Sequence, residues 1–282
     1  MSDDLRKILE LERLEDNLFR GFTPDHGRSR IFGGQVIAQS LLAAYETVEP
    51  ARLCHSLHAY FIRPGDPAIP IVFEVDRSRD GRSFTTRRVV AIQHGRQILN
   101  MAASFQAAEP GFEHQSDMPQ APGPEGFPDL REMLAEIAEE RSGLRPTSSP
   151  VEMRFVEPNA NTPRTPNPPA MQRAWFRLRQ PLDDDPRWQQ AALAYASDMA
   201  LITASLQPHG VTWNMPDMQG ASLDHALWFH RPTDLAEWHL YDMDSPSASG
   251  ARGFNRGSIY RADGTLAASA AQEGLIRRLG QK

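Results

Sequence analysis

The chain has 282 residues, long for one compact domain and ample for two of about 100–150 residues each. Its 40% hydrophobic and 23% charged residues exclude a disordered chain, and a formal charge of −6 leaves no basic surplus for a nucleic-acid partner. The single cysteine, Cys54, excludes an intramolecular disulfide and a multi-cysteine metal site.

The first nineteen residues, MSDDLRKILELERLEDNLF, are charged throughout and hold no signal-peptide core. No later stretch approaches 18 consecutive apolar residues, so no membrane span is expected. The C-terminal RLGQK is not a peroxisomal signal of the S-K-L type, and a cytoplasmic location is the expectation. Residues 35–48 (QVIAQSLLAAYETV) predict a helix apolar on nearly every side, opened by Gly33-Gly34. A strand region follows in HSLHAYFIRPGD, then a charged strand, a turn at DGRSF and a last strand ending ILNMAASFQ. Cys54 sits in an alternating run, LCHSLHAYF, which favours a packed thiol over a nucleophile.

Between residues 110 and 169 the composition changes: 12 of the 23 prolines lie there. DLREMLAEIAEE (129–140) predicts an amphipathic helix with an acidic first turn and VEMRFVE (151–157) a strand, the remaining pieces being extended connections. Beyond it the order of the first part returns. Residues 188–206 (WQQAALAYASDMALITASL) predict a second apolar helix, followed by SLDHALWFHRPTD, SGARGF and GTLAASAAQEG. Matching Arg63-Pro64 to Arg231-Pro232, Ser40-Leu41 to Ser205-Leu206 and Phe84 to Phe254 gives offsets of 168, 165 and 170. The pattern predicts an α+β chain of two similar modules, 1–110 and 150–282, joined by a Pro-rich linker with a short helix at 111–149. An all-round apolar helix must be buried on all sides, and an antiparallel sheet wrapped around it, the hotdog arrangement, does that. Two unrelated α+β domains are the alternative.

Asp198 is the anomaly of the second helix: its neighbours at three and four positions are Ala194, Tyr195, Leu201 and Ile202, and a buried carboxylate needs partners. It reads equally as a functional group or as a cap on the amides of Ala200 and Leu201. Ser222 and Gln272 lie on the strands that should wrap this helix. Alone, each reads as structural; no G-x-S-x-G elbow surrounds Ser222. His225 beside Asp224 reads either as a residue that orients the site or, more readily, as a buried structural imidazole, and no histidine pair has metal-ligand spacing. Arg82, Arg87, Arg88 and Arg252 are candidates for holding phosphates, though exposed strand arginines are commonplace.

The runs YASDM (195–199), SLDHALWFHRP (222–232), SASGARGFNRG (247–257) and AASAAQEG (267–274) resemble the C-terminal half of the type II (TesB-like) acyl-CoA thioesterases. FGGQVIAQSL (32–41), HSLHAYFIRPGD (55–66), DGRSFTTRRVVAIQHG (80–95) and ASFQ (103–106) are similar to that family's first module. The resemblance implies a double hotdog that hydrolyses acyl-CoA to a free fatty acid and CoA, with no metal or cofactor and a homodimeric or homotetrameric assembly. It further implies that Asp198, Ser222 and Gln272 hold the attacking water, Ser222 standing where many members have Thr. His58, Gly33 and Gly34 are expected only to line the site, and the glycine pair is matched to the position of Asp198. Rival readings are hydration or dehydration of an enoyl-CoA on the same fold, and an acyl-CoA binder without activity.

Overall fold

The computed structural model describes residues 4–24, 30–140, 149–157, 168–212 and 215–280. The proline-rich pieces at 141–148 and 158–167 lie outside the described residues. The first half runs α1 (Leu5–Leu9), β1 (Leu11–Glu15), β2 (Leu18–Gly21), α2 (Gly33–Tyr45), β3 (Arg52–Phe61), β4 (Ile71–Asp80), β5 (Phe84–Gln93) and β6 (Arg96–Ala107). After α3 (Leu130–Glu140) come β7 (Val151–Phe155), β8 (Met171–Leu178), α4 (Pro186–Ser197), β9 (Met218–Ser222), β10 (Asp224–Phe229), β11 (His239–Ser249), β12 (Arg252–Arg261) and β13 (Leu266–Arg278).

All strands join one antiparallel sheet ordered β1-β2-β4-β5-β6-β3-β10-β13-β12-β11-β8-β7, with β9 continuing β10 along β13. That order is a palindrome in which β3 and β10 meet at the centre. The register locates the pseudo-twofold: His58 on β3 faces Ala226 on β10, an offset of 168. Arg63-Pro64 and Arg231-Pro232 differ by the same 168. The turns there are braced alike, Arg63 donating to Gln97 O at 2.7 Å and Arg231 to Leu266 O at 3.2 Å. The fold is therefore the double hotdog expected of the repeat.

Helix α2 is buried along almost its whole length, and β4, β5 and β6 wrap it. Of its polar interruptions, Gln39 donates to Ile8 O at 3.0 Å and Gln35 to Thr23 Oγ1 at 3.0 Å, while the buried Ser40 hydroxyl has no partner among the described residues. The second half departs from the single helix expected over 188–206. Helix α4 starts at Pro186, where Asp185 accepts from the Arg187 amide at 2.9 Å, and stops at Ser197. Ala200 then adopts φ 66°, a left-handed conformation costly for a non-glycine residue, and Leu201–His209 continues as a 3-10 segment. Pro208 within that segment removes an amide an α-helix would need. Helix α4 packs on α2, while the 3-10 segment packs on β8, β11, β12 and β13.

The described part of the connection between the halves, 111–140, is a strap lying on the second half. Asp129 and Glu132 form a reciprocal capping box at the start of α3, Asp129 accepting from the Arg131 amide at 3.2 Å and Glu132 from the Asp129 amide at 3.3 Å. Trp175 Nε1 donates to Pro122 O at 2.7 Å, Arg154 to Pro124 O at 3.2 Å, and Arg179 pairs with Asp129.

Candidate active site

Asp198 is the first residue past α4, and the break at 198–200 turns its carboxylate toward the start of α2 in the other half. Phe32, which precedes α2, supplies no side-chain cap, so the first amides of that helix need an acceptor from elsewhere. Asp198 provides it by accepting the Gly34 N–H. The carboxylate thus caps a helix of the opposite half rather than the amides of Ala200 and Leu201. It also explains the glycine pair: a Cβ on Gly33 would come within 2.7 Å of Asp198 Oδ2, and one on Gly34 within 2.5 Å of Tyr195 O. Gly33 opens α2, and Asp198 precedes the 3-10 segment that packs on the corresponding strands of the second half, so the two stand at corresponding segment starts and lie side by side.

Two strands add the remaining polar groups. Gln272 on the inner face of β13 is 1% exposed, and its Nε2 donates to Asp198 Oδ1 at 2.6 Å. Ser222, the last residue of β9, directs its hydroxyl to the same oxygen at 3.5 Å. Gln272 Oε1 is buried and carries no partner among the described residues. Burial pushes the Asp198 carboxyl up to about 6, opposed by the donors Gln272, Gly34 and Ser222. A group with that proton affinity is ionised near neutrality yet basic enough to accept a proton from water.

His225 is also present, on the inner face of β10 and 0% exposed, with Nδ1 4.0 Å from Asp198 Oδ1. The sequence signal was available: residues 225, 227 and 229 alternate inward as a set. Its sequence neighbour Asp224 points to the other face, where it accepts the Glu273 amide at 2.6 Å, so the two do not form a pair.

Other candidates lie elsewhere. His58 is exposed on the outer face of β3, its ring edge-on to Trp228 at 5.1 Å, so it does not line the Asp198 site. Arg87 is buried and fully engaged by Thr47 at 2.8 Å and Asp80 at 2.6 Å, and is structural rather than a phosphate ligand. Arg252 pairs with Glu273 at 2.9 Å. Cys54 is a packed thiol whose ionisation burial opposes.

A cavity of about 370 Å³ opens against the site, and Gly33 and Ser222 form part of its wall, with Asp198 directly behind them. The rest is largely apolar, with Ile31, Val36, Phe61, Ile98 and Leu99 prominent, and Arg30 and Arg63 among the polar members.

Fold and site together define a double-hotdog protein whose buried carboxylate is shared between its two halves. A family model described as acyl-CoA thioesterase matches residues 151–275, and one described as the acyl-CoA thioesterase N-terminal domain matches 22–106. A Haemophilus influenzae protein named acyl-CoA thioesterase 2 is 41% identical over 289 residues, covering 98% of this chain and 99% of its own. A Rattus norvegicus protein named acyl-coenzyme A thioesterase 8 is 38% identical, covering 98% of this chain and 91% of its own. The crystal structure of an acyl-CoA thioesterase II, TesB2, from Mycobacterium marinum superposes with a TM-score of 0.82 at 42% identity, over 99% of this chain and 98% of that one. The chain belongs to the acyl-CoA thioesterase family.

Proposed function

We propose that the chain hydrolyses acyl-CoA by direct attack of a water held at Asp198, Ser222 and Gln272, in the module 150–282, with the module 1–110 completing the site across the linker 111–149. Membership of the family makes it a thioester hydrolase; the water-based mechanism rests on the buried Asp198 carboxylate, braced by Gln272 and Gly34 behind the cavity wall.

The acyl chain lies in the apolar cavity with its carbonyl beside Gly33 and Ser222. A water between the carboxylate and the bare Gln272 Oε1 has an acceptor for each of its protons, leaving a lone pair for the carbonyl carbon. As the new C–O bond forms, Asp198 takes one proton and the carbonyl pair moves onto oxygen. The Gly34 amide is committed to the carboxylate, so the Gly33 amide on the cavity wall is the candidate donor to that oxyanion. Collapse of the intermediate breaks the C–S bond, and the thiolate recovers the proton from Asp198.

Enoyl-CoA hydration would require a second acid or base facing the substrate, whereas His225 is wholly buried. No described helix is long and apolar enough to cross a membrane. A cytoplasmic homodimer or homotetramer acting in fatty-acid metabolism is the setting that fits this reading.

The test is thiol release from saturated acyl-CoAs of graded length, with Asp198→Asn assayed in parallel. Release by the native chain and its loss in the variant are expected. No release at any length, or an undiminished variant, would sink the mechanism.

A further inference from the structure

His225 is a buried imidazole with one nitrogen engaged and the other bare. Its Nε2 lies 2.9 Å from Ser197 Oγ. That hydroxyl already donates to Ala194 O at 3.0 Å, so it accepts from the ring, and the proton belongs on Nε2. Nδ1 therefore carries a lone pair, has no partner among the described residues, and faces Asp198 Oδ1 across 4.0 Å. Two acceptors face each other with no donor between them while Asp198 is ionised, an arrangement that disfavours the anion. The donor arrives when Asp198 is protonated.

We infer that His225 is a positioning residue for the hydrolysis, its Nδ1 accepting a hydrogen bond from the Asp198 carboxyl during the interval in which that group holds the proton drawn from water. This rests on the proposed role of Asp198 as base. His225 neither gains nor loses a proton: water gives one to Asp198, the thiolate takes it back, and the imidazole stabilises the acid form between. Oδ1 also faces the Ser222 hydroxyl on the cavity wall, so the proton can return to the cavity from the oxygen that faces His225. Strengthening the acid form makes the carboxylate the stronger base, and burial keeps the ring itself neutral by pushing its pKa down to about 4. Around the pair, Tyr241 of β11 donates its hydroxyl to Ser197 O at 2.8 Å and stays protonated, burial raising its pKa. Asp224 and His58, on β10 and β3, face outward.

Two substitutions separate the nitrogens. In His225→Asn the amide oxygen replaces Nδ1, whereas in His225→Gln the longer side chain reaches Ser197 and leaves the Nδ1 position empty. The profile of kcat/KM against pH should keep its acid limb in His225→Asn. In His225→Gln the limb should move to lower pH by half a unit or more, with a plateau loss of about tenfold and little change in KM. A limb at one pH in all three proteins, a limb moved upward in His225→Gln, or the reverse ranking of the two variants would overturn the inference. Nitrogen-15 NMR of histidine-labelled native protein gives a reading independent of either variant. The His225 Nδ1 resonance should report a bare acceptor above pH 7 and a hydrogen-bonded one below pH 5, and Asp198→Asn should abolish that change. An Nδ1 resonance that does not respond to pH overturns the inference even where the variants misfold. Full activity in Asp198→Asn would instead expose failure of the base itself, a separate result.

Discussion

The pseudo-twofold gives the molecule two equivalent ends, and only one carries the carboxylate site. The offset of 168 makes Cys54 the counterpart of Ser222. The ladders add a second pair: His58 faces Ala102 and Ala226 faces Ala271, so Ala103 is the counterpart of Gln272. At that end a cavity of about 300 Å³ persists, lined among others by Leu53, Cys54, Leu193 and Phe229. The polar contacts around Cys54 form a closed set. Gln190 donates to Cys54 O at 2.8 Å, Cys54 N donates to Tyr45 Oη at 2.8 Å, and Tyr45 and Gln190 bond to each other. The packed segments differ as well: α2 opens at Gly33-Gly34, while its counterpart, the 3-10 segment Leu201–His209, follows Asp198 and the left-handed Ala200. On the proposed mechanism one scaffold thus supports an inert end and a reactive one, which differ in these side chains and in the 3-10 segment that stands where the first half has an α-helix.

The largest expected effect breaks the reactive end alone. Asp198→Asn should lower kcat for acyl-CoA hydrolysis by about 10²–10⁴, while Cys54→Ser, which copies Ser222 into the inert end, should stay within about twofold by the same thiol-release assay. Gln272→Ala removes both the donor to Asp198 and the bare acceptor for water, and should cost about 10²-fold in kcat; the reciprocal Ala103→Gln should create no second activity, read as unchanged residual turnover in an Asp198→Asn background. Gly33→Ala forces a methyl to within 2.7 Å of Asp198 Oδ2 and 2.8 Å of Phe61, and a loss of about tenfold is expected from displacing the base.

The smallest effect is thermodynamic. Because the folded state raises the Asp198 pKa from 3.8 to about 6, folding favours its protonated form. Stability from this group is full below about pH 4 and is lost as pH rises through about 6. Denaturant titrations of Asp198→Asn and the native chain should therefore show the stability difference moving in the variant's favour, by about 2–3 kcal/mol, between pH 4 and pH 7. A constant difference would mean that the carboxylate is no costlier to ionise in the fold than in the open chain. Activity should fall on the acid side of about pH 6 in the native chain for the same reason.

Much of this was legible in the sequence because repetition and alternation are local signals. The order of elements, the match of Arg63-Pro64 to Arg231-Pro232, and the inward set at 225, 227 and 229 can all be read from one strand or helix at a time. The capping box of α3 is equally local. Residues 188–206 looked like one helix since apolarity persists across Asp198; the left-handed Ala200 has no composition signal, because alanine ordinarily favours helix. His58 could not be assigned to a face without the register of β3, in which Leu57 and Ala59 turn inward. The union of Asp198 with Gly34 spans the two halves, and no pattern within either half announces it.

The covalent joining of the two hotdogs has a hereditary consequence. In an assembly of identical copies, a single codon would set both ends, and a change that emptied one pocket would empty its twin. Here the codons for Cys54 and Ser222 are separate, as are those for Ala103 and Gln272. Each can drift without the other, so selection can hold one pocket to its chemistry while the twin position serves packing alone.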